Sequence, residues 1–142
     1  MQWNAWPNAG FSAPDTGELW LPLAPDYEEV NVASQLKDPR SVLNFFRKLV
    51  AYRKSSPALR WDSYRSLDAA SPEAQENCFV FERQASDQRL LVALNFSGHE
   101  QNLSLPELRR GRTVLSTTLD REGEVNLADF NLRANEGCII EI

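Results

Sequence analysis

Side chains able to transfer protons, attack as nucleophiles or ligate metals are few and poorly grouped in this 142-residue chain. The single histidine, His99, follows Gly98 in a predicted turn. Neither a Ser/His/Asp triad nor a histidine metal site therefore finds support, and no metal or cofactor is expected. The acidic pairs Glu28-Glu29 and Glu122/Glu124 have the composition of glycosidase carboxylates. Catalytic carboxylates must flank a sugar bond in a pocket at a defined separation, which sequence proximity does not supply, so solvated faces or caps are expected. Cys78 and Cys138 lie in apolar, strand-like runs without Cys-x-x-Cys spacing and read as free core thiols. No phosphate-cradling Gly-rich loop, nucleotide fingerprint or Asp-rich calcium loop occurs. Asn95-Phe96-Ser97 and Asn102-Leu103-Ser104 match the glycosylation triplet, but the first falls in a predicted buried strand, and both are read as chance matches. What remains is binding rather than bond-breaking. Trp3, Trp6, Phe11, Trp20, Leu21, Leu23 and Tyr27 can either stack sugar rings or pack on their own domain.

The first forty residues, which carry those aromatics, are punctuated by Pro7-Asn8-Ala9-Gly10 and Ala13-Pro14-Asp15-Thr16-Gly17 and read as irregular chain. A stretch this apolar must pack against something. A helix follows: Asp38 is the expected N-cap, Pro39 suits the first position, and Pro57 stops it. Val42, Phe45, Phe46, Leu49 and Val50 fall at helical spacing on one wide apolar face, and Arg53 and Lys54 complement the negative end of the dipole. From residue 60 onward short strand-like runs appear at 64–67, 78–84, 89–97, 101–105, 112–119 and 130–142, the spacing of an antiparallel sandwich or barrel. In Leu90-Leu91-Val92-Ala93-Leu94-Asn95-Phe96 both alternating faces are apolar, which predicts a central strand covered on two sides. Gly98, Gly111, Gly123 and Gly137 are expected in turns.

Composition agrees with a folded domain. The chain is 42% hydrophobic, with four Trp, seven Phe and three Tyr, and no apolar run approaches the roughly 20 residues needed to span a bilayer. Twenty acidic against 15 basic side chains give a net charge of −5, and the basic residues are scattered except for Arg47, Lys48, Arg53 and Lys54 on the predicted helix. That balance argues against nucleic-acid binding, and no membrane partner is expected. Residues 1–10 lack a basic region followed by an apolar one, so a cytoplasmic location is expected.

An ordered series of short motifs adds to this reading. Met1-Gln2-Trp3-Asn4, Asn8-Ala9-Gly10-Phe11-Ser12 and Trp20-Leu21-Pro22-Leu23 are followed by Asn31-Val32, Gln35, Lys37-Asp38-Pro39 and the run Ser41 to Leu49. Arg53-Lys54, Pro57-Ala58-Leu59 and Leu91-Val92-Ala93-Leu94-Asn95-Phe96-Ser97 complete it. The series resembles the C-terminal portion of the α-glucosidases and oligo-1,6-glucosidases of the α-amylase superfamily, glycoside hydrolases in which a (β/α)8 barrel precedes an antiparallel β domain. Asn4 stands where that family frequently has Asp.

The resemblance implies a mainly β fold. Residues 1–56 would be the last barrel loop and the eighth barrel helix, an incomplete catalytic domain, and residues 57–142 a C-terminal β-sandwich. It also implies a retaining mechanism whose aspartate nucleophile, glutamate acid/base and second aspartate all lie upstream of this chain, which should be inactive alone. Only a contribution to the pocket wall carries over, with Trp3, Asn4 and Phe11 as substrate-proximal candidates. The implied partner is the missing barrel, and oligosaccharide would bind only in the full-length enzyme. Without the barrel, the apolar helix face is expected to fold back on the sheet or to pair two copies of the chain. The alternative is a free-standing β-sandwich module that binds carbohydrate or a protein through its N-terminal aromatics.

Overall fold

The computed structural model describes residues 1–17, 19–61, 63–67, 72–85 and 87–142. It divides into two compact units, Met1–Lys48 and Leu49–Ile142.

The first unit is mostly loop, tied by a 3-10 turn at Pro7–Gly10 and a short helix α1 (Val32–Lys37). Helix α1 was not foreseen in a stretch read as irregular. Its entry signal is a capping box: the Asn31 side chain accepts the Ser34 N–H at 2.9 Å, while Ser34 Oγ receives the Asn31 N–H at 3.3 Å. Asp38 terminates α1 and is not the N-cap of the long helix α2 (Val42–Ser55). That role falls to Ser41, whose Oγ accepts the Asn44 N–H at 3.3 Å, because Pro39 and Arg40 are used in the turn between the helices.

No residue of α2 is buried, and Val42 and Phe46 are exposed. Of the stripe that the 3.6-residue period marks, Phe45, Leu49 and Val50 are half-buried. Pro57 does not merely end α2. It opens α3 (Pro57–Arg60), whose N-cap Ser56 accepts the Leu59 N–H.

In the second unit, β1 (Ser63–Leu67), β2 (Cys78–Ala85), β3 (Gln88–Asn95), β8 (Gly137–Glu141), β5 (Arg110–Ser116) and β6 (Gly123–Asn126) form one sheet in that spatial order. Strands β4 (Gln101–Leu103) and β7 (Phe130–Leu132) form a second, two-stranded layer. All pairings are antiparallel. The core lies between the layers, where Val80, Leu91, Ala93, Cys138 and Ile140 meet Leu103, Leu105, Leu127, Phe130 and Leu132. Strand β3 is central, as its two apolar faces predict: Leu91 and Ala93 enter this core, while Leu90 and Val92 are buried on the opposite side, where α3 packs. Helix α4 (Pro72–Asn77) covers the end of β2 and β4, contributing Ala74.

The run expected as one strand over 130–142 is two. Between β7 and β8, residues 133–136 turn the chain from the small layer into the large sheet. Strand β6 was missed because its exposed alternation of small and charged residues carries little apolar signal. Asn95, in the triplet read as a chance match, is buried and fully used. Its Nδ2 donates to the His99 and Arg133 carbonyls, and its Oδ1 accepts the Ser97 N–H and Oγ–H. Cys78 and Cys138 are both free, the first half-buried and the second buried.

Two glycines expected in turns are instead places of close approach. Gly111 lies inside β5, and a Cβ there would meet Ile140 Cγ2 at 2.6 Å and the Glu141 carbonyl oxygen at 2.9 Å. Gly137 opens β8, where a Cβ would meet Leu94 Cδ2 at 2.8 Å. There is therefore no room for a methyl group between β5 and β8 at Gly111 or between β3 and β8 at Gly137, and the obstacle at Gly111 includes backbone. Gly111→Ala is expected to lower the stability of the chain by about 2 kcal/mol in urea unfolding, as overpacking does. Gly98→Ala, with open space around it, should stay within about 0.5 kcal/mol.

Candidate functional site

Residues 1–48 hold all three substrate-proximal candidates, and their backbone is organised by a few tight constraints. Asn8, Ala9 and Gly10 have φ of 62°, 51° and 75°, three successive left-handed conformations. Asn and Gly tolerate that region, while Ala9 costs about 1 kcal/mol there. The bend is held because the Ala9 carbonyl accepts the N–H groups of Trp3 (2.9 Å) and Asn4 (3.4 Å), and because Ala9 is wholly buried. A Cβ on Gly10 would lie 2.8 Å from Asn4 Nδ2 and 3.0 Å from Trp3 Cβ, so this position must be glycine for steric reasons as well. The Asn4 side chain turns back and accepts the Trp6 N–H at 3.0 Å. The two separated motifs at 1–4 and 8–12 are thus halves of one packed loop.

That loop is fastened to α1. Val32 N–H donates to the Gln2 carbonyl (2.9 Å) and Ala33 N–H to the Trp3 carbonyl (3.0 Å), so peptide oxygens of the entering chain satisfy two of the free amides at the helix start. Asn31, only 2% exposed, adds bonds from Nδ2 to the Tyr27 and Glu28 carbonyls. Gln35 joins α1 to α2: its Oε1 accepts the Leu43 N–H, and its carbonyl receives Ser41 Oγ–H and Asn44 Nδ2. The polar motif residues are consumed by scaffolding.

The aromatic residues are left facing outward. Trp3, Trp6, Phe11 and Leu21 are exposed, and Trp20 is 93% exposed. Phe11, Leu19, Trp20, Leu21, Pro22 and Leu23, with Gln2, line a cleft of about 360 Å³. Of the three candidates only Phe11 lines it; Trp3 and Asn4 are joined to Phe11 through the 8–11 bend rather than by the cleft itself. Among the described residues no acid, base or nucleophile lines this cleft, and what they offer is an apolar surface that can stack against and desolvate a ring face.

Glu28, Glu29, Glu122 and Glu124 are exposed. Two others, missed by sequence reasoning, are buried in the second unit. Glu82 accepts Arg89 Nε at 2.8 Å and Arg65 Nη2 at 2.6 Å, and these bonds, Arg89's foremost, hold its carboxyl below the usual range. Glu136, whose side chain is inaccessible, meets Arg133 at 2.6 Å and Arg121 at 3.0 Å and also accepts the Arg133 N–H. Burial pushes its carboxyl up, but the Arg133 and Arg121 interactions outweigh burial and leave it lowered. Arg133 also clasps Asp120 at 2.7 Å. Burial raises the Cys138 thiol to about 11, which leaves it protonated and unreactive at neutral pH. The only sequence signal for Glu82 was a charge at an inward position beside Val80; Glu136 gave none beyond its place next to Gly137.

Comparison with known proteins places this geometry. Residues 1–62 match the family model described as "Alpha amylase, catalytic domain". Over 100% of its length the chain is 29% identical to the oligo-1,6-glucosidase of Parageobacillus thermoglucosidasius and 31% identical to the trehalose-6-phosphate hydrolase of Bacillus subtilis. It spans 24% of each of those proteins. It is also similar to the crystal structure of the trehalulose synthase MutB from Pseudomonas mesoacidophila MX-45, with a TM-score of 0.82 and 29% identity over 99% of this chain and 24% of that one.

Because the lowered folded-state pKa of Glu136 favours the ionised form, its contribution to stability is complete above the unfolded carboxyl pKa of about 4.3 and is lost as pH falls through the folded value. Glu136→Gln is expected to cost about 2 kcal/mol at pH 7, since it leaves Arg121 and Arg133 without their buried anion. The same substitution should flatten the acid limb of stability against pH below about 4.5, measured by urea titrations across pH. An unchanged acid limb in the variant would show that other carboxylates govern acid unfolding.

Proposed function

This chain belongs to the α-amylase family of glycoside hydrolases, and on that premise we propose that it is the non-catalytic C-terminal part of a retaining α-glucosidase acting on short α-glucosidic oligosaccharides. Residues 1–56 are then the last loop and helix of the catalytic barrel, and residues 57–142 are an antiparallel β domain that supports and shields it. The observation that carries this reading is the disposition of apolar surface in the segment matching a catalytic-domain model. Within it Trp3, Trp6, Phe11, Trp20, Val42 and Phe46 stay exposed. Large exposed apolar patches on soluble proteins mark surfaces awaiting a partner, and the chain spans about a quarter of the length of its relatives. Within the whole enzyme Trp3, Asn4 and Phe11 contribute to the wall of the substrate pocket. Alone, two copies of the chain pair through the Val42 and Phe46 face.

The Phe11–Trp20 cleft favours a second reading, a carbohydrate-binding module in its own right. The purified chain is expected to show no hydrolysis of p-nitrophenyl α-glucoside, to bind a hydrophobe-sensing dye strongly, and to give no heat on calorimetric titration with maltose or isomaltose. Turnover above background would refute the absence of catalytic machinery. Saturable heat with maltose, without dye binding, would replace the severed-domain reading with the module.

A further inference from the structure

The second unit carries a cleft that neither the barrel-shielding role nor the sequence motifs account for. It has a volume of about 370 Å³ and is lined by Val50, Arg53, Lys54, Arg60 and Trp61. Three of these five described lining residues are cations, in a chain whose net charge is −5. Among the described residues, every ion pair uses Arg65, Arg89, Arg121 or Arg133, and none uses a cation of the cleft. Arg60 is nevertheless held in place: its Nη1 donates to the Lys54 carbonyl at 3.4 Å, and its guanidinium lies 5.3 Å from the centre of the Trp61 ring. Arg83 fixes the same corner by donating to the Ala58 carbonyl at 3.0 Å and the Trp61 carbonyl at 3.5 Å. Trp61 itself is 66% exposed.

Arg53 and Lys54 at the end of α2 complement the helix dipole, but that role does not require Arg60 of α3 to join them at one concavity. The dipole presents only roughly half a negative charge there, against three positive side chains, so the described lining of the cleft is electropositive. Two guanidinium forks and an ammonium suit a dianionic phosphate, which accepts bidentate N–H donation. The Val50 and Trp61 walls offer an apolar face to a ring attached to that phosphate, and the volume lies in the range of small-molecule pockets.

We propose that this cleft is a binding site for a phosphorylated sugar, with Arg53, Lys54 and Arg60 holding the phosphate and Trp61 the ring. The site lies in residues 49–61 and does not rest on the parent enzyme's activity: turnover of an α-glucoside by the isolated chain would refute the earlier reading and leave this one untouched.

The test is an NMR titration of the whole chain with glucose 6-phosphate, following the Trp61 indole and the arginine Nε–H signals, with glucose and inorganic phosphate as separate arms. Saturable shifts with glucose 6-phosphate, weaker ones with inorganic phosphate and none with glucose are expected. The double variant Arg53→Gln/Arg60→Gln should weaken binding at least about tenfold while keeping the dispersion of the remaining spectrum. Trp61→Ala should reduce glucose 6-phosphate to the affinity of inorganic phosphate. No saturable change up to about 10 mM, or shifts that persist in the double variant, would overturn the site. Equal affinity for glucose 6-phosphate and inorganic phosphate in the unmodified chain would overturn the sugar component.

Discussion

Buried backbone groups must find hydrogen-bond partners, and in residues 1–48 there is little helix or sheet to provide them. The loop therefore recruits side chains and stray peptide carbonyls. Asn31 closes the turn at 27–28 and caps α1, the Gln2 and Trp3 carbonyls satisfy the first amides of that helix, and Gln35 ties α1 to α2. This arrangement explains why the recognisable residues of the segment are Asn, Gln, Ser and Gly rather than acids and bases. It also explains why the tryptophans are left over. A loop whose interior is filled by amides has no room for indoles, so they are carried on the outside, where only another surface can cover them.

The second unit solves the same constraint in the ordinary way, with ladders, and spends its charged side chains differently. Glu82 and Glu136 are taken inside and each receives two arginines, whereas Arg53 of α2 and Arg60 of α3 enter none of the ion pairs among the described residues. Buried pairs of this kind contribute little net stability relative to an apolar core, but they are costly to break, so they specify how the strands are paired. The Arg121–Glu136–Arg133–Asp120 chain connects the turn after β5 to the turn before β8.

Legibility in the sequence followed the physical range of each signal. Features set by side-chain periodicity were clear: the two apolar faces of β3, the amphipathic α2 and the antiparallel β architecture all follow from alternation or the 3.6-residue repeat. Features set by one or two specific contacts were not. Helix α1 depends on a reciprocal Asn31–Ser34 bond in a stretch of otherwise poor helical pattern. Asp38 had the right type for an N-cap and the wrong place, because Ser41 is better set against Asn44. Gly111 looked like a turn residue although its real constraint is Ile140, nearly thirty positions away in the chain. Of the proposed pocket-wall residues, the environments of Trp3 and Asn4 became intelligible only once Ala9 and Gly10 were seen folded over them.

The buried amide of Asn95 has a consequence for how this chain can be made. Both of its Nδ2 hydrogens and its oxygen are engaged by the 97–99 turn and by Arg133, so no glycan can be attached once the domain has folded. Asn102, exposed at the rim of the small layer, remains reachable. In a secretory expression host the order of events then matters. Attachment at Asn95 during synthesis would remove the donor that ties β3 to the turn ahead of β8, whereas attachment at Asn102 would disturb only an exposed bond to Asp129. Replacing Ser97 to delete the acceptor triplet would not be neutral either, since its hydroxyl is one of the groups that hold Asn95 in place.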